Sequence, residues 1–397
     1  MLSLSAETRA MLNLLAFELF DQRLEIDASK VDWHRVLAES NRHVLTAFLY
    51  PGLRHLNGVP EEILSRARNA AMLSAARMEE SLRAQDGVLE LMRSQNIPCA
   101  VLKGFSAACR YPHPELRVPG DIDILVLPSH LSAACAEMEG VGFKKELSLE
   151  KHECLSRANT WVEVHQMVTA FPESEKGNYA REFMNGALSH TQEMEIQGIR
   201  FPILDSIYQM IGLLAHKEQH LATSGIGLRQ ICDWAVTMHA LREQIGEKEI
   251  ATLERCGLLH FAKVVTRLCE KYLGLPPCPW CQNAMDDQVD ALMEDIMSAG
   301  NFHEQYAKRP FTGVLTDAYG SGKSSVFRNY FHYIRKRIDQ DYSWAKNPLW
   351  IPAFGLFFPM RYCVRVLIGK RKKINVSQAV HTAQYREKML RSLKLYQ

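Results

Sequence analysis

The sequence predicts an α+β fold, with strands confined to residues 97–202 and helical regions on both sides. Three observations carry that prediction. Residues 60–95 are a long run of Ala, Met, Leu, Arg and Glu, all strong helix formers. Residues 97–126 hold two short runs rich in Val, Ile and Leu, separated by an Arg-containing loop, as buried strands are. From residue 203 onward the apolar residues return to helical spacing. Four regions follow: an N-terminal helical region (1–96), an α/β core (97–202), a helical subdomain (203–300) and a C-terminal helical region with an apolar segment and a basic tail (301–397). A chain of 397 residues has the length of two or three domains or subdomains.

Composition narrows the class. With 47% hydrophobic and 23% charged residues, the chain reads as soluble and globular with a sizeable core. A net charge of +2 does not by itself point to nucleic acid. Ten cysteines are scattered, several inside apolar runs, as reduced buried thiols are. A reducing cytoplasm is the expected setting. The N-terminal MLSLSAETRAMLNLLAFELFDQ has no basic stretch and carries an acid early, so it reads as an amphipathic helix and not a signal peptide.

Taken in order, residues 8–20 and 33–49 have helical periodicity, and Pro51-Gly52 is expected to break the chain. Pro60 followed by Glu61 and Glu62 suits the start of the next helix, where acids complement the dipole. That helix delivers the chain to a strand at Pro98–Leu102, and Gly104 begins the turn after it. The second apolar run embeds Asp121 and Asp123, which a strand would point the same way. Pro128-Ser129 opens a helix to about Met138 with Ser129 as its cap, and Gly140 and Gly142 end it. Another strand begins at Phe143-Lys144-Lys145. Residues 151–158 and 160–168 read as two strands joined through Ala158-Asn159, the second with Trp161, Glu163 and His165 on one face.

Two carboxylates as close as Asp121 and Asp123 repel unless a cation lies between them or one is protonated. At neutral pH the usual answer is a hard divalent ion such as Mg²⁺ or Mn²⁺, which takes oxygen ligands and leaves room for phosphate oxygens. Gly104 lets the backbone approach a phosphate closely, and Lys103 supplies a positive charge beside it. Leu102-Lys103-Gly104, Arg117 and Gly120-Asp121-Ile122-Asp123 together resemble the polymerase-β-like nucleotidyltransferase superfamily, and most of all its bacterial "uncharacterised nucleotidyltransferase" family, in which Lys-Gly often replaces Gly-Ser.

The resemblance implies a small mixed sheet with flanking helices and transfer of a nucleoside monophosphate from an NTP, with ATP the expected donor, releasing pyrophosphate. It implies Asp121, Asp123 and Glu163 as metal and catalytic carboxylates. Lys103, Gly104, Ser106 and Arg117 would bind the nucleotide. His165 contacts substrate, orients Glu163 or is structural. His216, His220 and Arg229, on a helix pair that also carries Asp233, either face the acceptor or make ordinary interhelical bonds. The acceptor stays open among small molecules, saccharides, proteins and RNA. A non-catalytic nucleotide-binding or scaffold protein is the rival reading, opposed by the presence of all three acids.

Two further motifs are weaker. DAYGSGKSS (317–325) needs Gly where Asp317 stands to be a phosphate-binding P-loop. A lone Cys278-Pro279-Trp280-Cys281 cannot complete a zinc site and reads as a loop. At the C-terminus, LWIPAFGLFFPM (349–360) is too short to span a bilayer, and ten Lys/Arg against one acid follow from Arg361. Residues 349–373 either contact an anionic membrane surface, placing the protein at the inner face of the membrane, or dock on the helical core and leave a solvated or RNA-binding tail.

Overall fold

A computed structural model describes residues 2–149, 151–222, 225–299, 334–335, 338, 347–367 and 376–396. It divides into two units, one of Met1–Glu218, Ile226–Asn301 and Lys394–Gln397, the other of Gln219–Gly225 and Phe302–Leu393. The regions 1–96 and 97–202 thus share the first unit, together with most of 203–300.

The first unit begins with α1 (Ala6–Phe20), α2 (Trp33–Arg42), α3 (Thr46–Leu53) and α4 (Glu61–Ser94). Ser5 caps α1 by accepting from the Thr8 amide, and Asp32 caps α2 by accepting from His34 and Arg35, so orphan donors at both starts are satisfied. Pro51-Gly52 does not break the chain as expected. Pro51 lies in the last turn of α3, where only one helical bond is forfeited before the helix ends anyway. Gly52 is needed for close packing, since a Cβ there would meet a Leu14 methyl at 2.7 Å. In α4 the buried positions Ile63, Ala67, Ala71, Ser74, Met78, Leu82, Gln85, Leu89 and Met92 recur every three or four residues, giving one continuous inward stripe.

Seven strands follow: β1 (Cys99–Val101), β2 (Ile122–Val126), β3 (Lys144–Ser148), β4 (His152–Arg157), β5 (Thr160–His165), β6 (Thr191–Ile196) and β7 (Ile199–Leu204). They form one mixed sheet in the order β3-β4-β5-β2-β1-β7-β6, so the α+β class holds. β2 pairs parallel with β5 and β1 parallel with β7, while the other neighbours are antiparallel. Ile122, Ile124, Val126, Val162 and Val164 share one face of the sheet. They are buried in a core with Met78, Leu82 and Leu89 of α4 and Ala134, Cys135 and Met138 of α6 (Leu131–Gly140). β2 is buried along its whole length, as a central strand should be.

The β6–β7 hairpin is not read from the sequence. Its two-residue turn, Gln197-Gly198, has both residues at positive φ, as a tight hairpin of right-twisted strands requires. Ser129 does not cap α6: a single 3₁₀ turn, Pro128–His130, precedes the helix, and no side chain accepts at its start.

Helices α5 (Lys103–Ala108), α7 (Glu175–Met184), α8 (Ser206–Ala222), α9 (Leu228–Leu241), α10 (Glu247–Arg255), α11 (Leu259–Leu273) and α12 (Asp286–Ala299) complete the main elements described in this part of the chain. Cys278 precedes and Cys281 ends a 3₁₀ turn (Pro279–Cys281), and both are buried. The Cys281 thiol donates to Glu270 at 3.2 Å, and burial pushes Cys278 up to about 11, so both are protonated structural thiols. In the second unit, Phe354 of a helix over Ile351–Leu367 packs with Ile334 and Ile338, and Arg386 of a helix over Val376–Ser392 donates to the Leu221 carbonyl at 2.7 Å. The run 317–325 lies outside the described residues. Among the described residues no helix is long and apolar enough to cross a membrane.

One buried ion pair ties the loop before β2 to α9. Arg117 donates to both Asp233 oxygens, at 2.8 and 2.9 Å, and the Tyr111 hydroxyl donates to the same carboxylate at 2.8 Å. Removing one partner of such a pair leaves a buried charge uncompensated, so Asp233→Ala should lose about 3–5 kcal/mol of stability in urea unfolding. A loss below about 1 kcal/mol would show that the pair does not hold this loop.

Candidate active site

The site grows from strand register. β2 and β5 run parallel with Asp123 directly opposite Glu163 and Leu125 opposite His165. Alternation sends Ile122, Ile124, Val162 and Val164 to the apolar core, so Asp123, Glu163 and His165 emerge together on the other face. β1 adds the cation. The Leu102 amide donates to the Asp123 carbonyl at 2.9 Å, and the next residue, Lys103, turns into the left-handed region at φ 44. For a lysine that conformation is uncommon and strained, and here it coincides with a charged contact.

The Lys103 ammonium lies 2.7 Å from Asp123 Oδ1 and 3.4 Å from Glu163 Oε2. His165 Nε2 lies 2.8 Å from the same Asp123 oxygen and 3.1 Å from the same Glu163 oxygen. Carboxylates only accept, so Nε2 must carry the imidazole proton and donate to them. His165 Nδ1 is buried and finds no hydrogen-bond partner among the described residues.

Burial would raise the Asp123 carboxyl, but the Lys103 charge and the His165 hydrogen bond outweigh it and hold the group below its ordinary value. Glu163 is likewise held low against its burial, by the His165 hydrogen bond and Lys103. Burial alone would depress Lys103, and the charges of Asp123 and Glu163 reverse this and raise it. Asp121 precedes β2, so it lies outside the strand expected to carry it, and its side chain is exposed. Although the residue is exposed, protein atoms around its carboxyl displace part of its water; that desolvation first, then the charges of Asp123 and Glu163, raise it. Asp121 therefore senses the pair without sharing its hydrogen bonds.

The remaining sequence candidates are placed differently. Gly104 follows Lys103 into α5, and a Cβ on it would face the Arg117 guanidinium at 3.6 Å. Ser106 is buried, and its hydroxyl donates back to the Lys103 carbonyl at 2.8 Å instead of pointing into the site. Arg117 is committed to Asp233, which pairs with its charge through two hydrogen bonds. Arg229 donates to the Val118 carbonyl at 3.0 Å and so braces the loop leading to Asp121. His216 and His220 are half-buried one turn apart on α8. The contacts that define the acid cluster run instead to Lys103, His152 and His165.

His152 is missed by the sequence reading. β4 pairs antiparallel with β5 so that His152 stands opposite His165, with the rings 4.7 Å apart. Its Nε2 lies 3.5 Å from Glu163 Oε1, the oxygen that Lys103 does not face. Burial pushes His152 down to about 4, so the ring is neutral at physiological pH. A signal exists: Arg157 pairs with Thr160 across the tight turn, and counting back along both arms brings His152 to His165. Ligand atoms of His152, Glu163 and His165 all lie within 4.8 Å of one another, a grouping able to hold a metal ion.

Two acids on adjacent parallel strands, an ammonium against both and two imidazoles thus meet on one face of the sheet. The chain belongs to the family described as uncharacterised nucleotidyltransferase, whose family model matches residues 29–274. That span includes Lys103, Asp121, Asp123, His152, Glu163 and His165. No curated protein matches the chain.

Lys103→Met tests the counter-ion role. Asp123 and Glu163 have lowered folded pKa values, so their contribution is present above the unfolded values near about 4 and lost as pH falls through the folded ones. Without Lys103, burial acts with less opposition and penalises both charges at neutral pH. The variant should lose about 3 kcal/mol near pH 7, and the deficit should shrink toward about pH 4 in urea unfolding. An equal deficit at both pH values contradicts this role.

Proposed function

We propose that the protein is a metal-dependent nucleotidyltransferase. It would transfer a nucleoside monophosphate from an NTP, with ATP the expected donor, to an acceptor hydroxyl and release pyrophosphate. On this reading the sheet is a polymerase-β-like core. The observation that carries the proposal is the register pair Asp123–Glu163, two carboxylates from strands far apart in sequence meeting beside Lys103.

The donor set fits a divalent ion. Both carboxylates approach one imidazole nitrogen, and their repulsion is already balanced by a cation, the Lys103 ammonium. Asp123 and Glu163 would hold Mg²⁺ or Mn²⁺, with the adjacent Asp121 adding a third carboxylate. When bound, the metal supplies charge neutralisation on the triphosphate and a lowered pKa at the acceptor hydroxyl.

The chain's own residues do the rest. Lys103, held charged by its neighbours, offers its ammonium to phosphate oxygens in exchange for Asp123. His165 keeps the two carboxylates aimed at one point. Glu163 is the candidate base where an acceptor hydroxyl comes within hydrogen-bond reach. Arg229 and the Arg117–Asp233 pair fix the loop that presents Asp121.

A second reading rests on the same ammonium. With Lys103 2.7 Å from Asp123, the acids are neutralised by the protein itself, as a non-catalytic nucleotide-binding scaffold would allow. Incubation with each α-labelled NTP, Mg²⁺ or Mn²⁺ and cell extract separates the two. The transferase reading expects label on an acceptor, with Asp123→Asn losing about 10³-fold while its circular dichroism is unchanged. Calorimetry showing metal–NTP binding without turnover would favour the scaffold, and full transfer by Asp123→Asn would remove the mechanism.

A further inference from the structure

From the second unit alone, and independently of the transfer chemistry, we propose that the helix over Ile351–Leu367 lies flat on a membrane surface bearing anionic headgroups. The helix is apolar on two sides. Its inner side carries Phe354, buried against Ile334 and Ile338, with Ile351 and Phe358 packed beside it. Its outer side exposes Leu356 (78%), Met360 (64%) and Val364 (48%), spaced four residues apart and so on one face, with Phe357 partly exposed next to them. Leu349 (83%) and Trp350 (43%) extend this face through the preceding 3₁₀ turn. A helix that needed only a hydrophobic core would turn polar residues outward at these positions. Large apolar side chains grouped on one exposed face mark a contact surface.

Charge selects the occupant. From Tyr342 to Arg386 the sequence has eight Lys or Arg and no Asp or Glu. Arg361 stands exposed at the edge of the apolar face, its guanidinium 6.0 Å from the Phe357 ring centroid. An apolar face with Arg361 at its edge, in a stretch of sequence rich in cations and free of acids, complements a bilayer interface, where acyl chains meet negative headgroups. Trp350 at the helix start has the amphipathic ring favoured at that depth. The helix has 17 residues, about 25 Å, and no described helix can cross a bilayer, so the contact lies in the plane of the membrane.

The test is co-sedimentation of the full chain with vesicles of phosphatidylcholine alone or with phosphatidylglycerol added. Binding should require the anionic lipid, weaken as salt rises, and fall by about tenfold or more in Leu356→Asp/Met360→Asp. Both residues are exposed, so thermal unfolding of this variant should match that of the parent. Binding equal on both vesicle types, or unaffected by the substitutions, overturns the proposal. So does light scattering that shows the same substitutions dissolving a homo-oligomer, or retention on RNA in place of vesicles.

Discussion

Two carboxylates forced together on neighbouring parallel strands are the constraint around which the first unit is organised. At about 4 Å a pair of like charges costs about 4 kcal/mol in a medium of effective dielectric near 20, and burial adds to that. The fold answers with the Lys103 ammonium, brought to within 2.7 Å of Asp123 by a backbone that leaves β1 in the left-handed region at that residue. A left-handed residue costs about 1–2 kcal/mol, less than the repulsion it helps to relieve. The strain is local, and it sits where the ion pair over-determines it.

The surrounding elements keep that answer in place. β2 is buried on both faces, so Asp123 cannot swing to solvent without opening the sheet. The Leu102–Asp123 backbone bond ties the end of β1 to the residue whose charge Lys103 meets. His165 bonds both carboxylates through one nitrogen, and His152, across the β4–β5 pairing, approaches Glu163 from its other oxygen. Ahead of β2, Arg117 and Asp233 anchor the preceding loop to α9. Apart from His165–Glu163, two residues apart on β5, these contacts join different strands or helices, so the site exists only once the sheet and α9 have come together.

That dependence decides what the sequence could disclose. β1, β2 and the β4–β5 hairpin are legible because short apolar runs bounded by turn residues have few other ways to fold. The nearness of Lys103, Asp123 and Glu163 follows once those strands are placed in one sheet. Ser106 and Arg117 look available for phosphate in the sequence because nothing local claims them. Their partners are a carbonyl one helical turn back and an acid 116 residues away. His152 hides for the opposite reason: its neighbours in sequence are ordinary strand residues, and only pairing across the turn gives it a role. The β6–β7 hairpin hides behind Gln197, not a residue expected at positive φ, and Pro202, which reads as a strand breaker. Pro51 misleads because a proline in the final turn of a short helix forfeits almost nothing.

Lys103 also limits how such a site can work. Its raised pKa keeps it protonated across the physiological range, so it cannot serve as a base while it faces Asp123 and Glu163. On the proposed reading, proton removal from an acceptor would fall instead to Glu163 or to solvent. Glu163 starts from a lowered pKa, which makes it a weak base until the charge that lowers it is withdrawn. Movement of the Lys103 ammonium away from Glu163 toward a phosphate would raise the Glu163 pKa at the moment the nucleotide is in place. The lysine side chain can make that move by rotating about its own bonds, with the strained backbone at φ 44 unchanged. On the proposed reading, then, the group that stabilises the resting acid pair is also the one whose departure prepares Glu163 to accept a proton, and nucleotide binding and base activation are coupled through one side chain.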